Sequence, residues 1–146
     1  MSVGAYGVRS AGRSDLARLP DLDPSPPPAD LLASADAEGL LWVATAPGAE
    51  EPVGYLAARR LEEGLLIHRL AVAAPHRRRG VGATLLAAAI DRARWSFEPA
   101  VLLVADRDAD SSDRFFAKYG FVALSPGRLP SALQAGPGRV VMAKRL

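Results

Sequence analysis

The period of apolar and polar positions changes as the chain is read. Between residues 40 and 73 three runs, LLWVATA (40–46), PVGYLAARR (52–60) and LLIHRLAVA (65–73), are separated by PGAEE and LEEG. Short apolar runs divided by turn-forming residues predict a three-stranded antiparallel meander. After Pro75 the spacing becomes helical. Leu85, Leu86, Ala89, Ile90 and Ala93 form one stripe between Gly80 and Trp95, as in a helix lying on a sheet. AVLLVA (100–105) is apolar throughout, which predicts a strand covered on both faces. SSDRFFAKY (111–119) predicts another helix, with Asp110 as its N-cap and Gly120 as its stop. FVAL and RVVMAK supply the last strands.

Upstream, YGVRS (6–10) predicts an opening strand, SDLARL (14–19) a helix start, and ADLLASADA (29–37) a short helix. PDLDPSPPPAD (20–30) is proline-rich and predicts an extended connection, not a packed element. Trp42 and Trp95 are assigned to packing, and Glu50–Glu51 and Glu62–Glu63 to turns. The mixed order predicts an α/β (α+β) fold, a single domain over residues 1–146 with one central sheet.

Composition narrows the chemistry. The 146 residues include no cysteine, which excludes a disulfide framework, a thiol nucleophile and a thiolate metal site. Two histidines, His68 and His76, without an acidic cluster point to no metal. The N-terminus has no signal-peptide core, and no apolar run reaches the roughly 20 residues that span a bilayer. The expectation is a cytoplasmic protein with no membrane partner. A net charge of +2 gives no general affinity for nucleic acid.

The charge is concentrated, however, in PHRRRGVG (75–82), where a strand ends and a helix begins. The first N–H groups of a helix lack partners and lie at the positive end of its dipole, so they attract anions. Gly80 and Gly82 let a phosphate reach the backbone, and Arg77, Arg78 and Arg79 add donors. The turn therefore predicts a phosphate or pyrophosphate ligand. A P-loop would need Gly-Lys-Ser/Thr, which is absent, and a dinucleotide fingerprint would need glycine where Leu85 stands.

LAVAAPHRRRGVGATLL (70–86) resembles the acetyl-coenzyme A motif of the GCN5-related N-acetyltransferase (GNAT) superfamily, Gln/Arg-x-x-Gly-x-Gly/Ala, here Arg77, Gly80 and Gly82. PVGYLA is similar to that family's third strand, and RFFAKYGF (114–121) to the segment after its fifth. The resemblance implies a mixed, mostly antiparallel sheet flanked by helices, with splayed fourth and fifth strands and the thioester in the gap. It implies that the amides of Arg77, Arg78, Arg79, Gly80, Val81, Gly82, Ala83 and Thr84 hold the pyrophosphate of acetyl-CoA. It also implies that the edge Leu70, Ala71 and Val72 pairs with pantetheine, and that Ser112, Phe115 and Phe116 border the coenzyme. The implied reaction is direct acetyl transfer to a primary amine of a small molecule, or to a protein amine. Homodimers are common among relatives.

The chain departs from the family pattern at Phe116, where many members carry a proton-donating tyrosine. It contains no asparagine, and Asp108 or Ser112 stands where the family often has one. A histidine two residues before the L-A-V run is similar to one in arylalkylamine N-acetyltransferases, which implies that His68 is the general base. Its ordinary pKa near 6.5 suits that role. His76 reads as a solvent-facing loop residue. Segments 20–30 and 125–138 are the expected acceptor walls. Two other readings stand beside this one: a non-catalytic acyl-CoA-binding module of the same fold, favoured by Phe116, and a nucleic-acid-binding domain using residues 76–79.

Overall fold

Seven strands build one sheet in the order β1-β2-β3-β4-β5-β7-β6. The computed structural model describes residues 5–107, 112–125, 133 and 136–146. In chain order the elements are β1 (Gly7–Ser10), α1 (Arg13–Leu16), α2 (Leu19–Leu22), α3 (Ala29–Ala37), β2 (Leu41–Thr45), β3 (Pro52–Leu61) and β4 (Gly64–Val72). A 3-10 turn (Ala74–His76), α4 (Val81–Trp95), β5 (Ala100–Asp106), α5 (Ser112–Ala117), β6 (Val122–Ala123) and β7 (Arg139–Arg145) follow. The sheet is mixed and mostly antiparallel, as expected, and β4–β5 is its parallel pair. Parallel neighbours need a long crossover between them. The helical stripe at 85–93 supplies it as α4, with Leu85, Leu86, Ala89, Ile90 and Ala93 all buried.

Contacts cluster into two compact units, Met1–Arg59 with His68–Arg92, and Arg60–Ile67 with Ala93–Leu146. In the first, β1 pairs with β2 from Gly7↔Thr45 to Ser10↔Trp42, and β2 pairs with β3 from Leu41↔Ala57 to Ala44↔Gly54. Leu19, Leu32 and Ala35 of the helices pack on Leu41, Val43, Tyr55, Ala57 and Ala71 of the strands. Each buried leucine of such a layer contributes about 1.5–3 kcal/mol. At Gly54 a Cβ would lie 2.9 Å from the carbonyl oxygen of Ala71, so the glycine of PVGYLA is what lets β3 approach β4 there.

In the second unit, β5 pairs with the start of β4 at Leu65↔Val101, Leu66↔Leu102 and Ile67↔Leu103, and with β7 from Ala100↔Arg145 to Asp106↔Arg139. Leu66, Leu102, Leu133, Val141 and Ala143 form its core. The buried run of β5 has the character expected of a strand covered on both faces.

Three sequence expectations are corrected. The proline-rich stretch does not begin as an extended connection: Leu19–Leu22 is a helical turn with Pro20 in its first turn, where the missing N–H costs nothing. Trp95 does not pack; it is 82 % exposed at the end of α4, with Phe97 exposed beside it, whereas Trp42 is buried. His76 is half-buried and bonded. Among the described residues no helix is long and apolar enough to cross a membrane.

Candidate functional site

The strand-to-helix turn after β4 is built from short-range bonds. The N–H of His76 donates to Ala73 O (2.9 Å) and that of Arg77 to Ala74 O (3.3 Å). Arg77 Nε donates to Val72 O at 3.0 Å, so this side chain folds back over the end of β4. Arg78 (φ 62°) and Gly80 (φ 80°) then take left-handed backbone. Gly80 does so freely, whereas at Arg78 the conformation is strained. A Cβ at Gly80 would meet nothing within 4 Å.

In the first turn of helix α4, the N–H and Oγ1 of Thr84 both donate to Gly80 O, at 3.0 and 2.8 Å. Two of the predicted phosphate donors are therefore already engaged, the amide of Arg77 on Ala74 O and that of Thr84 on Gly80 O. The N–H groups of Arg78, Arg79, Gly80, Val81, Gly82 and Ala83 have no partner among the described residues. Arg78 and Arg79 are exposed. This short segment presents free amides, a glycine-bared backbone and two guanidinium groups, which together suit the oxygens of a pyrophosphate.

Strand β4 presents different chemistry on its two faces. Side chains alternate along a strand, so His68, Leu70 and Val72 share one face and Arg69 and Ala71 the other. Burial, and secondarily the positive charge of Arg59, hold the His68 imidazole below its ordinary pKa, so it is neutral at pH 7. Neither ring nitrogen has a hydrogen-bond partner among the described residues. A neutral, half-buried imidazole with a free nitrogen can take a proton.

On the opposite face lies a cluster that the sequence did not disclose. Arg69 Nε and Nη2 donate to Asp23 Oδ2 and Oδ1 at 2.7 and 2.5 Å. Tyr55 O–H donates to Asp23 Oδ2 at 2.6 Å and Ser25 N–H to Oδ1 at 2.9 Å. Burial would raise the Asp23 pKa, but the bonds from Arg69, Tyr55 and Ser25 outweigh it and hold the carboxyl below its usual range. The same burial, with the carboxylate beside it, pushes the Tyr55 phenol up. This four-donor carboxylate ties the start of the proline-rich segment to β3 and β4. A depressed carboxyl stabilises the fold above its unfolded pKa, near 3.9, and loses that contribution as pH falls through its lowered value. Asp23→Ala is expected to cost about 3 kcal/mol, at the low end for breaking a buried pair. The low end applies because the Arg69 side chain is 36 % exposed while that of Asp23 is fully buried. Urea unfolding at constant m-value measures the loss; a cost under about 0.5 kcal/mol would reduce the cluster to an ordinary surface ion pair.

In the second unit, α5 carries the remaining sequence candidates. The Ser112 hydroxyl accepts from Asp106 N–H at 2.9 Å, so this side chain secures the end of β5. Phe116 is 8 % exposed and packs edge-on against Phe115 and Phe121, with centroids at 5.1 and 5.7 Å. Phe115 also stacks, tilted, on Tyr119, which is partly exposed. Asp108, Asp110 and most of segment 125–138 lie outside the described residues. Among the described residues no group of three or more His, Asp or Glu side chains could hold a metal ion.

Residues 13–121 match the acetyltransferase (GNAT) family. The chain belongs to the GNAT family. The matched range takes in α1 to α5 and includes His68, the turn 75–82 and α5. Solved structures of the same fold include Ard1 from Thermoplasma volcanium, 22 % identical over 98 % of this chain and 99 % of that one, with a TM-score of 0.79. N-acetylglutamate synthase from Neisseria gonorrhoeae, complexed with coenzyme A and N-acetylglutamate, is 20 % identical over 99 % of this chain and 36 % of its own, TM-score 0.81. Naa50 from Arabidopsis thaliana, in complex with the bisubstrate analogue CoA-Ac-MVNAL, is 22 % identical over 97 % of this chain and 99 % of that one, TM-score 0.73. At these identities the likeness to this GNAT chain is one of fold.

Proposed function

We infer that residues 1–146 act as one acetyltransferase domain that moves an acetyl group from acetyl-CoA to a primary amine. The observation that carries this reading is the turn 77–83, with amides at 78–83 that have no partner among the described residues, a bared backbone at Gly80 and exposed Arg78 and Arg79, inside a chain of the GNAT family. These residues fit a pyrophosphate. Coenzyme A in the gonococcal synthase and the bisubstrate analogue CoA-Ac-MVNAL in the Arabidopsis complex support the same ligand class here. The backbone of Leu70, Ala71 and Val72 would follow the pantetheine arm. Arg77 contributes by holding Val72 O.

In the reaction, His68 removes a proton from the acceptor ammonium. The freed amine nitrogen attacks the thioester carbonyl, the C–N bond forms and the C–S bond breaks. As the C–S bond breaks, the nitrogen gives up its second proton to solvent, and the departing thiolate takes one from solvent to become coenzyme A, because Phe116 has none to donate. A low pKa at His68 favours the neutral base at pH 7. The acceptor is a small-molecule amine in this reading. The two complexes just named hold an acetylated amino acid and a peptide-mimicking analogue, so amines of both kinds belong in the screen.

The aromatic burial of Phe116 favours a second reading, a coenzyme-binding module without turnover. Calorimetric titration with acetyl-CoA and coenzyme A, followed by an amine screen with thiol detection, separates the two. Micromolar binding with thiol release supports the enzyme, and binding without release supports the module. Absence of binding at low salt would overturn both, and binding of nucleic acid that weakens steeply with salt would restore the basic-turn reading.

A further inference from the structure

Tyr6 and His76 stand 70 positions apart in the sequence, yet the Tyr6 hydroxyl lies 2.9 Å from His76 Nδ1. Their rings also meet edge to face, with centroids 5.8 Å apart at 85°. Both residues are half-buried. Tyr6 immediately precedes β1, which is itself well fixed. Ala11 N–H donates to Leu41 O at 2.9 Å, and Arg9 makes a two-toothed pair with the buried carboxylate of Asp15, at 2.7 and 3.1 Å. Asp15 Oδ2 also accepts Gly12 N–H at 2.7 Å. His76 closes the 3-10 turn and stands one residue before Arg77 and two before the strained Arg78.

A left-handed arginine persists only where its surroundings over-determine it. The bonds at Ala73, Ala74 and Val72 hold the turn from within, and Tyr6 adds a hold from an element far away in the chain. Freezing a loop in its ligand-ready shape raises affinity by removing an ordering cost at binding.

We propose that Tyr6 and His76 form a positioning pair that keeps the coenzyme turn in its binding shape, so that the opening segment of the chain sets coenzyme affinity. Neither residue supplies a group to the reaction. The proposal rests on the coenzyme reading of the turn.

Tyr6→Phe keeps the ring contact and removes the hydrogen bond. It is expected to raise the Kd for coenzyme A roughly five-fold, the weight of one ordinary hydrogen bond, and to raise the KM for acetyl-CoA in step. kcat at saturating acetyl-CoA should stay within about two-fold, since the pair touches no reacting atom. His76→Phe should reproduce the shift. The double variant should add little beyond either single one, the signature of a shared contact. A Kd unchanged in Tyr6→Phe, with or without a lower Tm, would overturn the proposal and leave the pair a purely structural contact. A drop in kcat at unchanged Kd, or fully additive singles, would overturn it too. Failure of the parent protein to bind coenzyme A is a separate result: it removes the coenzyme reading, and the pair loses its role with it.

Discussion

Replacing Gly82 with glutamate is expected to abolish coenzyme A binding while the protein still folds. Gly82 is the second residue of α4, amid amides that have no partner among the described residues. Glutamate favours helix more than glycine does, and an acid in a first turn suits the dipole, so neither effect argues for unfolding. The new carboxylate would take those amides for itself and repel the phosphates. Like charges brought together cost several kcal/mol, and about 3 kcal/mol is two orders of magnitude in Kd. Calorimetry with coenzyme A checks it, with Gly82→Ala as the steric control and circular dichroism as the control for folding. Near-parental affinity in a folded Gly82→Glu would mean that phosphates do not sit on this turn.

The second large effect concerns turnover. His68→Ala is expected to lower kcat about 10²- to 10⁴-fold, the usual weight of a general base. Coenzyme affinity should stay within about two-fold, because the side chain does not belong to the turn 77–83. The parent's rate should fall on the acid side with an apparent pKa below 6.5, since burial and Arg59 disfavour the imidazolium. That acid limb should vanish in the variant. A kcat within error of the parent would remove His68 from the mechanism and strengthen the reading as a binding module.

The parts of this chain that could be read in advance are those with local causes. The stripe at Leu85, Leu86, Ala89, Ile90 and Ala93 is a periodicity, and it became the buried face of α4. AVLLVA announced a covered strand because nothing polar interrupts it. The basic turn and its glycines are contiguous, so the candidate phosphate site was visible in eight letters. Contacts made by the fold left no such trace. Asp23 meets Tyr55 across 32 positions and Arg69 across 46, and no spacing rule links an aspartate in a proline-rich stretch to either. Tyr6 and His76 are farther apart still. Trp95 misled in the other direction: its hydrophobicity suggested a core position, but its place at the end of α4 turns it to solvent. Pro20 read as a breaker, although the first turn of a helix tolerates it.

The two faces of β4 bear on how this gene can drift. His68 and Arg69 are joined by one peptide bond yet serve opposite sides of the strand. Insertion or deletion of a single residue in the Glu62–Glu63 turn would slip β4 by one place. The slip would turn the arginine toward the leucine–valine face and the histidine toward Asp23. It would also carry a side chain into the place of Gly64, where a Cβ would run into the Ala100 carbonyl oxygen. Length changes in that hairpin should therefore be purged even though its tip is built from two glutamates that carry no chemistry, while the identity of those glutamates is free to vary.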